Sequence, residues 1–196
     1  MRKIVVHMQS TLDNRIANDQ GAFWQPFPWG EPEVAYLNQF FGATDTLALS
    51  RVLYDPHHSL VGRGRDRSAA PDAPEIPPAF AEFAQIQHQM TKVVFSNTME
   101  PSDGRVVLRG DLASQLAKLK QQDGADIILA AGPATLGPLA STPGLVDEYL
   151  IVVHPAVLTA GRRMFDHLTR DLALELVHAE VFEAGCVVLR HRVVWD

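Results

Sequence analysis

Nine residues, ILAAGPATL (Ile128–Leu136), have the make-up of an anion seat. An aliphatic run delivers the chain to a small-residue turn at Ala131-Gly132, and Pro133 then opens a helix. Proline suits a first helical position, because its fixed φ is already helical and an N–H there would have no partner. The amides of Ala134 and Thr135, with Leu136 completing the turn, are expected to lack intrahelical acceptors. Free N–H groups and the positive end of the helix dipole both favour a phosphate. A phosphate held between strand and helix points to a nucleotide cofactor, and so to an enzyme.

Other residues suggest how such a cofactor and its substrate would be held. Arg51 follows an apolar strand into a polar loop, and its planar fork of donors suits a phosphate. Ser96-Asn97-Thr98 is a second polar loop after a strand. Glu33 sits at the start of a helix, a natural place for an acid. Trp24 and Trp29, with Phe27, have flat faces suited to a heterocycle or to packing a long loop. The neighbours Asp147 and Glu148 precede a strand and face opposite sides, so they read as structural. His57-His58 reads as solvated, His154 as a structural hydrogen-bonding group, and Cys186, in GCVVL, as a buried strand residue. No metal site has ligands at suitable spacing. No residue is assigned as the proton donor.

These residues need strands and helices to position them. Lys3–Met8, Thr46–Leu53, Thr91–Ser96, Arg105–Leu108, Asp126–Ala130 and Tyr149–Val153 read as strands. Glu33–Phe41, Asp111–Gln121 and Pro133–Leu139 read as helices, with Asp111 an N-cap. Thr11–Ala17 is a loop turning at Asp13-Asn14, where Asn tolerates the left-handed conformation. His57–Pro78, rich in Pro, Gly, Arg and Asp, is an exposed excursion. Leu172–Phe182 and Cys186–Val194 form a hairpin across Glu183-Ala184-Gly185. The expected architecture is α/β, a mostly parallel central sheet with an antiparallel C-terminal hairpin. Residues 1–196 form one domain.

The chain is 46% hydrophobic, enough for a full core, and carries a formal net charge of −6. That balance argues against broad nucleic-acid binding. No apolar run approaches the ~18 residues that span a bilayer. The start shows no secretory-leader pattern, and the single cysteine cannot form an internal disulfide. A cytoplasmic protein with a small-molecule substrate is expected. The apolar, edge-like run CVVLRHRVVW predicts a homodimer.

TLDNRIA, AGPATLGPLASTPGLVDEYLIVVHP and LTAGRRMF, with weaker support from LALSRVLYD and VVFSNTM, resemble the dihydrofolate-reductase-like superfamily. Within it they resemble the C-terminal reductase domain of the bifunctional riboflavin-biosynthesis deaminase–reductase and its stand-alone relatives. The resemblance implies a three-layer fold and NADPH as cofactor, bound across the C-terminal ends of the strands. It implies pyrophosphate at Ala131, Gly132 and Pro133 with the helix from Ala134, and the 2′-phosphate end near Arg51, preceded by Ser50, and Ser96 and Asn97. Nicotinamide would lie beside the backbone of Ile16 and Ala17, and Glu33 where the superfamily keeps a substrate-facing acid. The implied reaction is hydride transfer to a small heterocyclic or ribosylaminopyrimidine-like substrate in riboflavin biosynthesis. The alternative is a non-catalytic dimeric ligand-binding protein that kept the fold and lost the cofactor site, because Asn14, Ser50 and Ala131 stand where the family commonly has glycine. A zinc deaminase half, which needs paired cysteines, is not expected from these residues.

Overall fold

The computed structural model describes residues 1–19, 30–54, 76–102 and 104–195. In chain order the elements are β1 (Ile4–Thr11), α1 (Glu31–Gly42), β2 (Thr44–Ser50), α2 (Arg51–Tyr54), α3 (Pro78–Gln89), β3 (Thr91–Phe95), β4 (Arg105–Leu108), α4 (Leu112–Lys120), β5 (Asp126–Ala130), α5 (Pro133–Ala140), β6 (Glu148–His154), β7 (Ala173–Val181) and β8 (Val187–Val194). Among the described residues the strands form one sheet in the order β4-β3-β2-β5-β1-β6-β8-β7. The first six strands run parallel. β8 lies antiparallel to both β6 and β7.

Side chains alternate across a strand, and here both faces are apolar. Ile4, Val6, Met8, Ile127, Leu129, Tyr149 and Ile151 meet Leu116 of α4 and Leu136 and Leu139 of α5 in one core. Val5, Ile128, Leu150 and Val152 meet Val34, Leu37 and Phe41 of α1 and Phe83 of α3 in the other. The result is the expected three layers. Strands buried on both faces read as continuous Val/Ile/Leu runs, as parallel sheets do.

Three elements differ from the sequence expectation, the first being β1, which runs on to Thr11 beyond the expected Met8. The strand expected over Thr46–Leu53 ends at Ser50, and Arg51 begins the short helix α2. α3 was not expected at all. Its buried positions are Ala79, Phe83 and Gln87, spaced by four, so a small and a polar residue conceal the apolar stripe. Its neighbour α1 is tied to it by Asn38, whose amide donates to Ala79 C=O and to Glu82, both at 2.9 Å.

Local expectations hold elsewhere. Asp111 caps α4 by accepting from Ser114 N–H. Asn14 has φ 63°, and its C=O accepts from Met164 N–H at 3.1 Å. Gly137 lets the chain at residue 167 lie on α5, since an added Cβ would meet His167 C=O at 2.2 Å. Most of the excursion over His57–Pro78, His57-His58 included, lies outside the described residues.

The N-terminal pole of the sheet is closed by ion pairs. Glu148 is held by Lys3 at 2.7 Å and by Arg190 at 2.6 Å. Burial alone would raise its pKa, but the two cations outweigh burial and hold the carboxyl below the usual range. Asp147 instead pairs with Lys120 at 2.8 Å. The two adjacent carboxylates thus serve separate structural contacts.

Candidate functional site at the C-terminal ends of the strands

Because β1 to β6 are parallel, their C-terminal ends share one pole. β1 and β5 are neighbours, yet their connections leave in opposite directions: β1 leads through α1 to β2, and β5 leads through α5 to β6. The two helices cover opposite faces. Strand order therefore switches between β5 and β1, and a crevice there is where open α/β sheets receive ligands.

One wall of this crevice is the turn after β5. Gly132 is the N-cap of α5, with no side chain capping it and Pro133 in the first turn. Thr135 N–H donates to Gly132 C=O at 3.0 Å and Leu136 N–H does so at 2.9 Å. This corrects the expectation that Thr135 lacks an intrahelical acceptor; Ala134 N–H is the amide with no backbone acceptor among the described residues. A Cβ built on Gly132 meets nothing within 4 Å, so the space above the turn is open. Ala131 is fully buried within the core, as is the Leu136 side chain. The Ala131 methyl therefore packs inward and does not crowd the turn.

The other wall is the segment after β1. Ile16 N–H donates to Arg162 C=O at 2.9 Å. Arg15 donates to Leu158 C=O at 3.0 Å and to Gly161 C=O at 2.6 Å, and pairs with Asp13. Gly161, with φ 127°, is approached so closely by Ala17 C=O that a Cβ would lie 2.0 Å from it. Ile16 and Ala17 are buried and fixed against residues 156–164.

Further along the pole, the ends of β2 and β3 lie side by side, Ser50 paired with Phe95. Arg51 is exposed and donates to Thr98 Oγ1 at 2.9 Å. Ser96 Oγ accepts from the amides of Thr98 and Met99, which shapes the turn and leaves Asn97 exposed. The structure thus brings Arg51 and the 96–98 turn together. An open helix N-terminus and a separate exposed guanidinium are each groups whose chemistry suits a phosphate.

On the α1 face of the same pole lies a polar group that the sequence reading did not assemble. Glu33, in the first turn of α1, is 4% exposed. Its Oε1 lies 3.7 Å from Cys186 Sγ, and its Oε2 has no hydrogen-bond partner among the described residues. Burial, then the Glu33 charge and hydrogen bond, push the Cys186 thiol up to about 11. His154, at the end of β6, is linked to Gln9 of β1 at 2.9 Å. Burial lowers His154 to about 4, so it is neutral at pH 7. Burial likewise lowers His7 to about 4, although its contact with Leu150 C=O works against that. The available signal was the alternation of Val5, His7 and Gln9 on one face of β1. Trp24 and Trp29 lie outside the described residues.

The opposite face carries a hollow of about 190 Å³, walled by Ser10, Tyr149, Ile151, Phe165, Leu174 and Leu189 among others. It opens beside exposed apolar side chains of β7. Among the described residues no group of three or more acidic, histidine or cysteine side chains is placed to hold a metal ion, and no helix is long and apolar enough to cross a membrane.

Comparison with known proteins bears on the fold and the family. The uncharacterised protein YyaP of Bacillus subtilis (strain 168) is 27% identical over 188 residues, covering 95% of this chain and 92% of its own. A putative riboflavin biosynthesis protein from Shewanella sp. PV-4 superposes with a TM-score of 0.67 at 19% identity, covering 98% of this chain and 99% of its own. Dihydrofolate reductase from Enterococcus faecalis, complexed with NADP(H), superposes with a TM-score of 0.58 at 16% identity, covering 97% and 96%. The fold is dihydrofolate-reductase-like. Residues 2–188 match the family model described as the RibD C-terminal domain, and the chain belongs to that family.

Proposed function

We propose that the protein is an NADPH-dependent reductase acting on a small heterocyclic or ribosylaminopyrimidine-like substrate, in the manner of 5-amino-6-(5-phosphoribosylamino)uracil reductase. The observation that carries this reading is the open helix N-terminus at Gly132, at the strand switch point, with Arg51 exposed further along the same pole. NADPH, when bound, supplies the hydride. The α5 N-terminus holds the pyrophosphate through Gly132 and Ala134. Arg51, with Ser96 and Asn97, receives the 2′-phosphate. Ile16 and Ala17 seat the nicotinamide, their backbone fixed by Arg15 and Gly161. Glu33 faces the substrate from the α1 side, where neutral His154 and Gln9 present uncharged polar groups.

Thermal-shift titration with NADPH and NADH tests the cofactor assignment, since binding to the native state raises Tm by mass action. A larger shift with NADPH is expected. Equal shifts, or none, would sink the assignment. Oxidation of NADPH in the presence of the ribosylaminopyrimidine substrate tests the reaction.

The protein is further proposed to work as a homodimer. The run CVVLRHRVVW is not the expected edge, because β8 lies between β6 and β7; the edge strand is β7, exposed along its whole length. Its Leu174, Leu176 and Val181 are 41%, 56% and 75% exposed. An apolar edge of this length is what proteins normally cover.

A further inference from the structure

Glu33 presents a chemical problem. A carboxylate oxygen buried without a hydrogen-bond partner costs stability. Among the described residues Oε2 is such an atom. The chain makes room for it deliberately: a Cβ on Gly30 would lie 2.5 Å from Oε2. The other oxygen is occupied. Cys186 sits one residue before β8, and its sulfur approaches Oε1 at 3.7 Å. A thiol raised to about 11 stays protonated at neutral pH, so it is the donor in this contact. Cys186 also packs with Val188, Val152 and Leu150 on the sheet, so the thiol has little freedom.

We propose that Cys186 is a positioning residue: its thiol fixes one oxygen of Glu33 so that the other is presented, unpaired, to an N–H donor of the ligand. The inference rests on the reductase reading above, in which Glu33 faces the substrate. It names the group that Glu33 selects, a ring N–H flanked by polar substituents, as on an aminouracil. A ring whose nitrogens carry methyl groups offers no proton to Oε2 and leaves it buried and unsatisfied.

The test uses the full chain with 5,6-diaminouracil as probe and 1,3-dimethyl-5,6-diaminouracil as its methylated counterpart. Calorimetry would compare wild type with Cys186→Ser, Cys186→Ala and Cys186→Val. Serine keeps a donor and is expected to hold diaminouracil within about threefold of wild type. Alanine and valine remove it and are expected to bind roughly tenfold more weakly, the size of one hydrogen bond to a charged group. The dimethyl probe binds weakly to all four. The S–H stretching band gives a readout that packing alone does not move: it should shift to higher frequency in Glu33→Gln, a weaker acceptor. Alanine and valine variants as tight as wild type, an S–H band unmoved by Glu33→Gln, or equal binding of the two probes would each overturn the proposal. NADPH titration of the same proteins separates the two readings. Loss of NADPH binding in wild type counts against the reductase, whereas unchanged diaminouracil affinity in the alanine and valine variants counts against Cys186 alone.

Discussion

Gly132 is the residue at which one added side chain should say most. Its Cβ position is open, so Gly132→Val fits the fold but fills the space proposed for the pyrophosphate. NADPH affinity should fall at least tenfold, about 1.4 kcal/mol, with the circular dichroism spectrum unchanged. A folded variant that binds NADPH as tightly as wild type would place the cofactor elsewhere. Arg51→Ala should weaken NADPH about fivefold and NADH hardly at all, since only NADPH carries the 2′-phosphate. The figure is modest because the guanidinium is exposed and screened. A fluorescence titration with both cofactors reads the difference. At this scale the sequence was partly legible. The Gly-Pro turn announces itself because both residues have singular backbone chemistry. Glu33 with Cys186, and Gln9 with His154, could not be paired, because 153 and 145 residues separate the partners. Only the sheet order makes them neighbours.

Among the elements, the strands of the central sheet were readable from their aliphatic runs, and α4 from its Asp111 cap. α3 was not, since its inward face is written in alanine, phenylalanine and glutamine. α2 was hidden because Arg51-Val52-Leu53 continues the composition of β2 without a break. The joint between β1, β6 and β8 offers a test of element stability. Glu148 of β6 takes Lys3 from just before β1 and Arg190 from β8, and Arg190 also stacks on Phe40 of α1. Arg190→Ala should cost about 1–2 kcal/mol at pH 7. The pH dependence follows from sign. The folded pKa of Glu148 lies below its unfolded value, so its contribution is complete above the unfolded pKa and lost as pH falls through the folded one. With Arg190 gone the folded pKa rises toward normal. Acid unfolding of the variant should begin at higher pH than in wild type. Urea melts across the acid range would show it, and an unchanged acid midpoint would deny Arg190 that role.

For the molecule as a whole, the apolar outer surface of β7 and β8 and the hollow beside Leu174 and Leu189 predict a dimer. Light scattering at micromolar concentration should give twice the 21.6 kDa of one chain. Leu176→Lys should return the mass to that of a single chain, because a charge at the centre of a buried apolar face is costly. A wild-type mass of 21.6 kDa would dismiss the dimer. The same sheet order has a consequence for how the protein is made. β1 is the second-earliest part of the chain to leave the ribosome after the extreme N-terminus, yet both of its neighbours, β5 and β6, come late. His7 and its partner Leu150 are 143 residues apart. At ~5–20 residues per second, synthesis leaves an apolar IVV strand without its pairing partners for on the order of ten seconds. The centre of this sheet therefore closes only late in translation, followed by the β8 and β7 edge, and nascent chains should depend on chaperones at least until residue 154 has emerged.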